Sequence, residues 1–116
     1  MTTTTAAAAL PVFFELPGLR GLRVARVGRQ ADGRTLELVE AAAGVVIPML
    51  HHPSAEHGRV LAGRLRFMKG GVVTEYGPGD TWDVAADEAQ GPHVVLEDGT
   101  RIALLRDGRS AFDDAV

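Results

Sequence analysis

Residues 63–84 read GRLRFMKGGVVTEYGPGDTWDV, in which short apolar runs alternate with glycine-rich turn signals. Leu65 and Phe67 alternate with arginine, which is the two-residue period of a strand with one buried face. The pair Gly70-Gly71 can supply the positive φ that a two-residue hairpin turn requires, and Gly77-Pro78-Gly79-Asp80 marks a second turn. The stretch therefore predicts two antiparallel strands in a hairpin, followed by a turn and a third short strand.

Two further turn signals divide the rest of the chain. Asp32-Gly33 separates LRVARVG from RTLELVEA, and Asp98-Gly99 separates HVVLE from TRIALLR, so each is expected to join two strands in a hairpin. In the last of these runs, Ile102 and Leu104 share one parity and are expected to face the core. Eight or nine short antiparallel strands in 116 residues favour an all-β fold, for which a double-sheet jelly roll is the best match.

Composition limits the class of protein and the chemistry available to it. The 12 basic and 15 acidic residues give a formal net charge of −3, and the basic ones are scattered rather than gathered into a patch. Nucleic-acid binding is therefore not expected. The chain contains no cysteine, which excludes disulfides, thiolate metal sites and cysteine nucleophiles.

The start of the chain differs in composition from the remainder. A run of threonine and then alanine up to residue 9 offers no amphipathic face, so we expect residues 1–10 to be a disordered lead and residues 11–116 to form one domain. The apolar stretch at 6–14, AAAALPVFF, lacks a basic region before it and is too short to span a bilayer. We expect a cytoplasmic protein with no membrane partner.

The stretch at 51–63, HHPSAEHGRVLAG, holds three of the four histidines and one acid. With Gly44 before it, His52, Glu56 and Gly63 stand at the spacing of a known signature, and the stretch at 76–93, YGPGDTWDVAADEAQGPH, echoes a second one. On these motifs the chain resembles a small single-domain cupin of the RmlC-like superfamily, the type-2 conserved barrel. The resemblance implies a double-stranded β-helix, or jelly-roll, barrel.

The resemblance also implies a metal site built from three histidines and a carboxylate, but the motifs here are degenerate. The family's first histidine falls on Leu50, the second on His52, the carboxylate on Glu56 and the last histidine on Gln90. His93 lies three residues beyond Gln90 and is the alternative for that position. The predicted ligands are thus His52, Glu56 and either Gln90 or His93, for Fe, Mn, Ni, Cu or Zn, or for no metal at all.

Other residues of the predicted site follow from parity and residue type. Glu56 is also the candidate general acid or base, with a loop carboxylate bonded to the backbone as its alternative. Leu50, Trp82 and Phe67 are expected to line the pocket, with core packing as the favoured alternative for Trp82. His51 and His57 have the opposite parity to the predicted ligands and are expected to face solvent.

Three functions remain open from the sequence. The first is a cupin that binds a small molecule in the barrel mouth, with or without a metal, and has a dioxygenase, isomerase or lyase activity. The second is a non-catalytic ligand-binding or sensory cupin that has lost its metal. The third is a scaffold with no ligand. Because a short open barrel leaves strand edges unpaired, and because cupins commonly pair, we expect a homodimer.

Overall fold

The structure is a computed structural model that describes residues 12–109. The predicted lead at 1–10, and residues 11 and 110–116 of the predicted domain, lie outside the described residues. Within them, every regular element is a β-strand, and none is a helix that could cross a membrane. The strands are β1 (Phe14–Glu15), β2 (Leu22–Arg29), β3 (Thr35–Ala41), β4 (Val46–Ile47), β5 (Glu56–Ala62), β6 (Leu65–Lys69), β7 (Val72–Tyr76), β8 (Thr81–Val84), β9 (His93–Val95) and β10 (Thr100–Arg106).

The strands form two antiparallel sheets. The large sheet has the order β1-β2-β3-β10-β5-β8, and the small sheet has the order β4-β9-β6-β7. Apolar side chains from both sheets form a single buried cluster that includes Val24, Val39 and Ile102 from the large sheet and Leu65 and Val95 from the small one. This arrangement confirms the predicted all-β jelly-roll class.

Two of the three predicted hairpins are confirmed. Strands β6 and β7 are joined by Gly70-Gly71, whose φ values of +59° and +76° are those of the primed turn that suits strand twist. Strands β2 and β3 also pair, through a longer turn in which the Gln30 N–H donates to the Arg34 carbonyl at 2.7 Å. The count of eight or nine strands was too low, because two of the ten strands, β1 and β4, have only two residues each.

The third predicted hairpin is wrong. Strand β9 pairs with β4 and β6 in the small sheet, whereas β10 pairs with β3 and β5 in the large one. The Asp98-Gly99 turn therefore carries the chain from one sheet to the other. The Asp98 carboxylate ties this turn to the segment after β3, because it accepts the Ala43 N–H at 2.9 Å. Turn residues show where a chain reverses, but not which strands become neighbours.

Alternation along β3, β5 and β10 brings charged side chains to one end of the core. Glu37, Glu56 and Arg106 each share the inward parity of buried apolar residues on their own strand. Strand β10 lies between the other two, and Arg106 is directly opposite Glu56 across the ladder. The large sheet thus supplies a charged cluster where the apolar core ends.

Candidate functional site

A small cavity lies between the sheets, beside the charged cluster. Its volume is about 40 Å³, and it is lined by Leu22, Val39, Ile47, Leu50, His52, Glu56, Leu65, Phe67, Trp82, Gln90, His93, Ile102, Leu104 and Arg106. Of these, Ile47 and Leu50 keep partial exposure and the others are buried, so the mouth lies beside these two side chains. All seven residues predicted for the site line this cavity, and their roles stay predictions.

Both oxygens of Glu56 have partners inside the barrel. The Trp82 indole N–H donates to Oε2 at 2.8 Å. Arg106 Nη2 lies 3.0 Å from Oε1 in an ion pair that lacks the alignment of a hydrogen bond, and His52 Nε2 lies 3.8 Å from the same oxygen. Glu56 is therefore held by an indole and a guanidinium, with the imidazole next to it.

Arg106 and Glu37 belong to the site but were not among the predicted residues. Arg106 is 1% exposed, and its Nε donates to Glu37 Oε1 at 2.6 Å. The other Glu37 oxygen lies 3.7 Å from Nε of Arg26, which is at the surface. A buried guanidinium is costly unless it is paired, and here two carboxylates compensate it. Alternation along β3 and β10 places both side chains on the inward face, but only the order of the strands in the sheet shows that they pair.

The imidazole of His93 is neutral and has a defined tautomer. Its Nδ1 accepts the Met68 N–H at 3.1 Å, so the proton is on Nε2, which donates to Gln90 Oε1 at 3.1 Å. The ring stacks on Phe67 with centroids 4.1 Å apart. Burial lowers the pKa of His93 to about 4, since desolvation disfavours the charged ring. Neither ring nitrogen has a lone pair available for a metal.

Gln90 connects His93 to the mouth of the cavity. Its backbone exchanges two hydrogen bonds of 2.9 Å with Leu50, which fixes Leu50 at the entrance. Because the side-chain oxygen accepts from His93, the amide nitrogen is directed elsewhere. That nitrogen is buried and has no hydrogen-bond partner within residues 12–109.

These contacts do not fit a divalent metal ion. The predicted ligands Glu56 and His93 are engaged through the atoms that would bind the metal, and the Arg106 guanidinium at Glu56 would repel a cation. In the part of the chain that the structure describes, no group of three or more His, Cys, Asp or Glu side chains is placed to hold a metal. The site is one in which a guanidinium compensates the carboxylate.

Trp82 serves both the core and the cavity, which were alternatives from the sequence. Its ring packs against β5 at Gly58, where an added Cβ would be 2.1 Å from Trp82 Cε2. Its centroid is 4.9 Å from that of Phe67, the next ring of the cavity wall. Gly58 is therefore the residue that allows Trp82 to reach Glu56.

The remaining two histidines of the stretch at 51–63 lie away from the cavity. His51 is exposed, with Nδ1 at 3.8 Å from Asp87 Oδ1. His57 is partly exposed on the outer face, and its Nδ1 lies 2.8 Å from Asp83 Oδ1. The prediction that these histidines point away from the site is confirmed.

Comparison with solved structures places the fold. The chain is similar to KdgF from Halomonas sp. (21% identity, TM-score 0.74, 90% of this chain and 91% of that one). It is similar to an RmlC-like cupin from Shewanella frigidimarina, with 17% identity, a TM-score of 0.73 and coverage of 92% of this chain and 90% of that one. It is also similar to the DMSP lyase DddQ from Ruegeria pomeroyi, with 22% identity, a TM-score of 0.70 and coverage of 89% of this chain and 59% of that one.

The chain therefore has the jelly-roll fold of these cupin structures, as the motifs predicted. No family model matches the sequence, and no curated protein matches it. At these identities the likeness establishes the fold and leaves the activity to be argued from the site.

Proposed function

We propose that this chain is a small-molecule-binding cupin whose ligand occupies the inner cavity without a divalent metal. The observation that carries the proposal is a set of buried N–H groups on Gln90 and Arg106 that have no hydrogen-bond partner within residues 12–109. Buried donors in folded proteins are almost always satisfied by protein, water or ligand. Both residues line the same cavity, so a molecule bound there can satisfy them.

The rest of the cavity wall supports this proposal. Apart from the charged cluster, His52, Gln90 and His93, its walls are aliphatic or aromatic side chains. A few convergent polar groups in an apolar cleft are typical of small-molecule sites, since the apolar wall supplies affinity and the polar groups supply orientation. The mouth beside Ile47 and Leu50 gives the ligand a path from solvent.

The test uses protein dialysed against chelator and a panel of small oxygen-containing molecules, with binding followed by ligand-observed NMR. We expect binding without metal and its loss in Leu50→Trp, which fills the mouth. The matched control is Met49→Trp, because Met49 is 63% exposed and does not line the cavity. Binding that appears only when Fe, Mn, Ni, Cu or Zn is restored would refute a metal-free site.

A second candidate, an isomerase or lyase that works by proton transfer, is favoured by one observation. His52 is buried on the cavity wall with Nε2 3.8 Å from Glu56 Oε1, so an imidazole that can exchange a proton with a bound compound lies beside a carboxylate. Glu56, the predicted catalytic residue, would then position His52, because its own oxygens are held by Trp82 and Arg106. The test is His52→Gln: ligand binding that persists while turnover of a bound compound disappears would support catalysis.

The predicted homodimer also remains a proposal. The sheets end in the edge strands β1, β8, β4 and β7, and on β7 the side chains of Val72 and Val73 are 63% and 51% exposed. An unpaired edge with apolar side chains favours association with a second copy. Strand β7 is the edge on which we place that contact.

A further inference from the structure

We propose that the ligand of the inner cavity enters it with an uncharged group, a hydroxyl or a carbonyl, and that the site discriminates against carboxylates and ammonium ions of the same shape. This inference rests on the proposed function and names the class of molecule that the site accepts. It follows from the balance of buried charges beside the cavity, the small size of the cavity and the apolar character of its wall.

The charged side chains beside the cavity already compensate one another. Arg106 is buried, and its Nε donates to Glu37 Oε1 at 2.6 Å while its Nη2 lies 3.0 Å from Glu56 Oε1. The second Glu37 oxygen lies 3.7 Å from Nε of Arg26. Two carboxylates therefore face two guanidinium groups, and these four side chains hold no surplus charge of either sign to pair with an ion.

An ion of either sign would enter the cavity at a cost. A carboxylate would add a third anion beside Glu37 and Glu56, and an ammonium group would be repelled by the Arg106 guanidinium. Separating Arg106 from Glu56 to make room for either ion would leave a buried charge unpaired, which is strongly destabilising. The balance of charges therefore disfavours anions and cations alike.

The cavity is also too small to keep an ion hydrated. Its volume of about 40 Å³ holds roughly three water-sized groups, so a charged head group fills it and leaves its hydration shell outside. Much of the wall is aliphatic or aromatic, including Val39, Leu65, Phe67 and Ile102, and cannot replace that shell. Removing an ion from water without such a replacement costs far more than removing a neutral polar group.

An uncharged polar group avoids both costs. A hydroxyl or carbonyl oxygen can accept from a buried N–H group of Gln90 or of Arg106, both of which have donors without a hydrogen-bond partner within residues 12–109. A hydroxyl can also donate to the Glu56 carboxylate, and neither group changes the net charge of the site. The alkyl part of such a molecule extends towards the mouth, where Ile47 and Leu50 present aliphatic side chains.

The experiment uses two pairs of molecules that match in shape and differ in charge, 1-butanol with n-butylammonium chloride and butyramide with sodium butyrate. Binding to chelator-treated wild type is measured by NMR titration at about pH 8, where both ions keep their charge and an imidazole of ordinary pKa is neutral. We expect each neutral molecule to bind at least about 10-fold more tightly than its ionic partner, since the penalty for burying an unpaired ion exceeds the free energy of a tenfold change in affinity.

Glu37→Gln tests the charge balance without altering the cavity wall, because Glu37 does not line the cavity. The amide can keep an oxygen towards Arg106 Nε, and the site becomes more positive by a single charge. We expect butyrate to bind at least about 10-fold more tightly to this variant than to wild type, and butyramide to change little. The matched control is Glu40→Gln, the same substitution on the outer face of β3 beside Arg101, which should bind the panel like wild type.

An ion that binds wild type as tightly as its neutral partner, with that binding removed by Leu50→Trp, would overturn the uncharged ligand and leave the proposed function standing. Butyrate binding that a folded Glu37→Gln variant does not strengthen would also overturn it. If no molecule of the panel binds, both proposals fall and water satisfies the buried donors. The comparison within wild type needs no variant, so a poorly folded Glu37→Gln leaves it decisive.

Discussion

Replacing Gly58 with alanine should destabilise the protein strongly, although one methyl group is the whole change. On a strand of ordinary backbone conformation, alanine would normally stabilise by about 0.5–1 kcal/mol relative to glycine. Here the new Cβ would be 2.1 Å from Trp82 Cε2, and Trp82 must move. Overpacking costs about 1–3 kcal/mol. Loss of the hydrogen bond from the Trp82 indole N–H to the Glu56 carboxylate costs about 1.5–3 kcal/mol more. We expect a net loss of about 2–5 kcal/mol.

The assay is urea unfolding followed by circular dichroism, together with tryptophan fluorescence. Trp82 is the single tryptophan of the chain, so its emission reports directly on this contact, and it should shift in Gly58→Ala. The matched control is Gly108→Ala, where an added Cβ would meet Ser54 at an ordinary 3.5 Å. In a Trp82→Leu background the Gly58→Ala penalty should largely disappear. A Gly58→Ala variant within about 0.5 kcal/mol of wild type, with unchanged emission, would refute this account of the contact.

Three further outcomes are expected. Burial lowers the folded-state pKa of His93 from 6.5 to about 4, so between these pH values the unfolded chain binds more protons than the folded chain. The contribution of the neutral ring to the free energy of unfolding, up to about 3 kcal/mol, is therefore complete above pH 6.5 and is lost as pH falls towards 4. The free energy of unfolding, measured in urea at several pH values between 4.5 and 7.5, should therefore rise less steeply with pH in His93→Gln than in wild type. Equal dependence on pH in the two proteins would contradict the lowered pKa of His93. Arg106→Met should destabilise by about 3–5 kcal/mol in the same assay at neutral pH, because Glu37 and Glu56 would lose their buried counter-ion, and a loss below about 1 kcal/mol would refute that pairing. Size-exclusion with light scattering should give a dimer at micromolar concentration and a monomer for Val73→Lys on β7, whereas a monomeric wild type would contradict the dimer.

Strand parity accounts for what the sequence could predict of the site. Once β5 and the segment before it are treated as extended, His52 and Glu56 face inward and His51 and His57 do not, as the structure has them. The two hairpins were predictable for a similar reason, because glycine at a tight turn is a local steric requirement. Each of these inferences depends on residues close together in the chain.

The parts that could not be predicted depend on residues far apart in the chain. Glu37 and Arg106 are separated by 69 positions, and a charged residue at either place would ordinarily be assigned to solvent because burying it alone is costly. Only the sheet order, with β10 between β3 and β5, shows that they compensate each other. The state of His93 depends on the backbone N–H of Met68, which no sequence pattern marks.

The guanidinium of Arg106 has a consequence for how this barrel can change over evolutionary time. A Leu50→His substitution would place a histidine at the position where the cupin signature has one. It would still face the positive charge of Arg106, and Glu56 would still be bound to that charge. Removing Arg106 first would leave two carboxylates buried without a counter-ion. A metal site in this cavity would therefore require changes at several positions together, because Leu50→His alone leaves Glu56 paired with Arg106 and loss of Arg106 alone leaves its two carboxylates uncompensated.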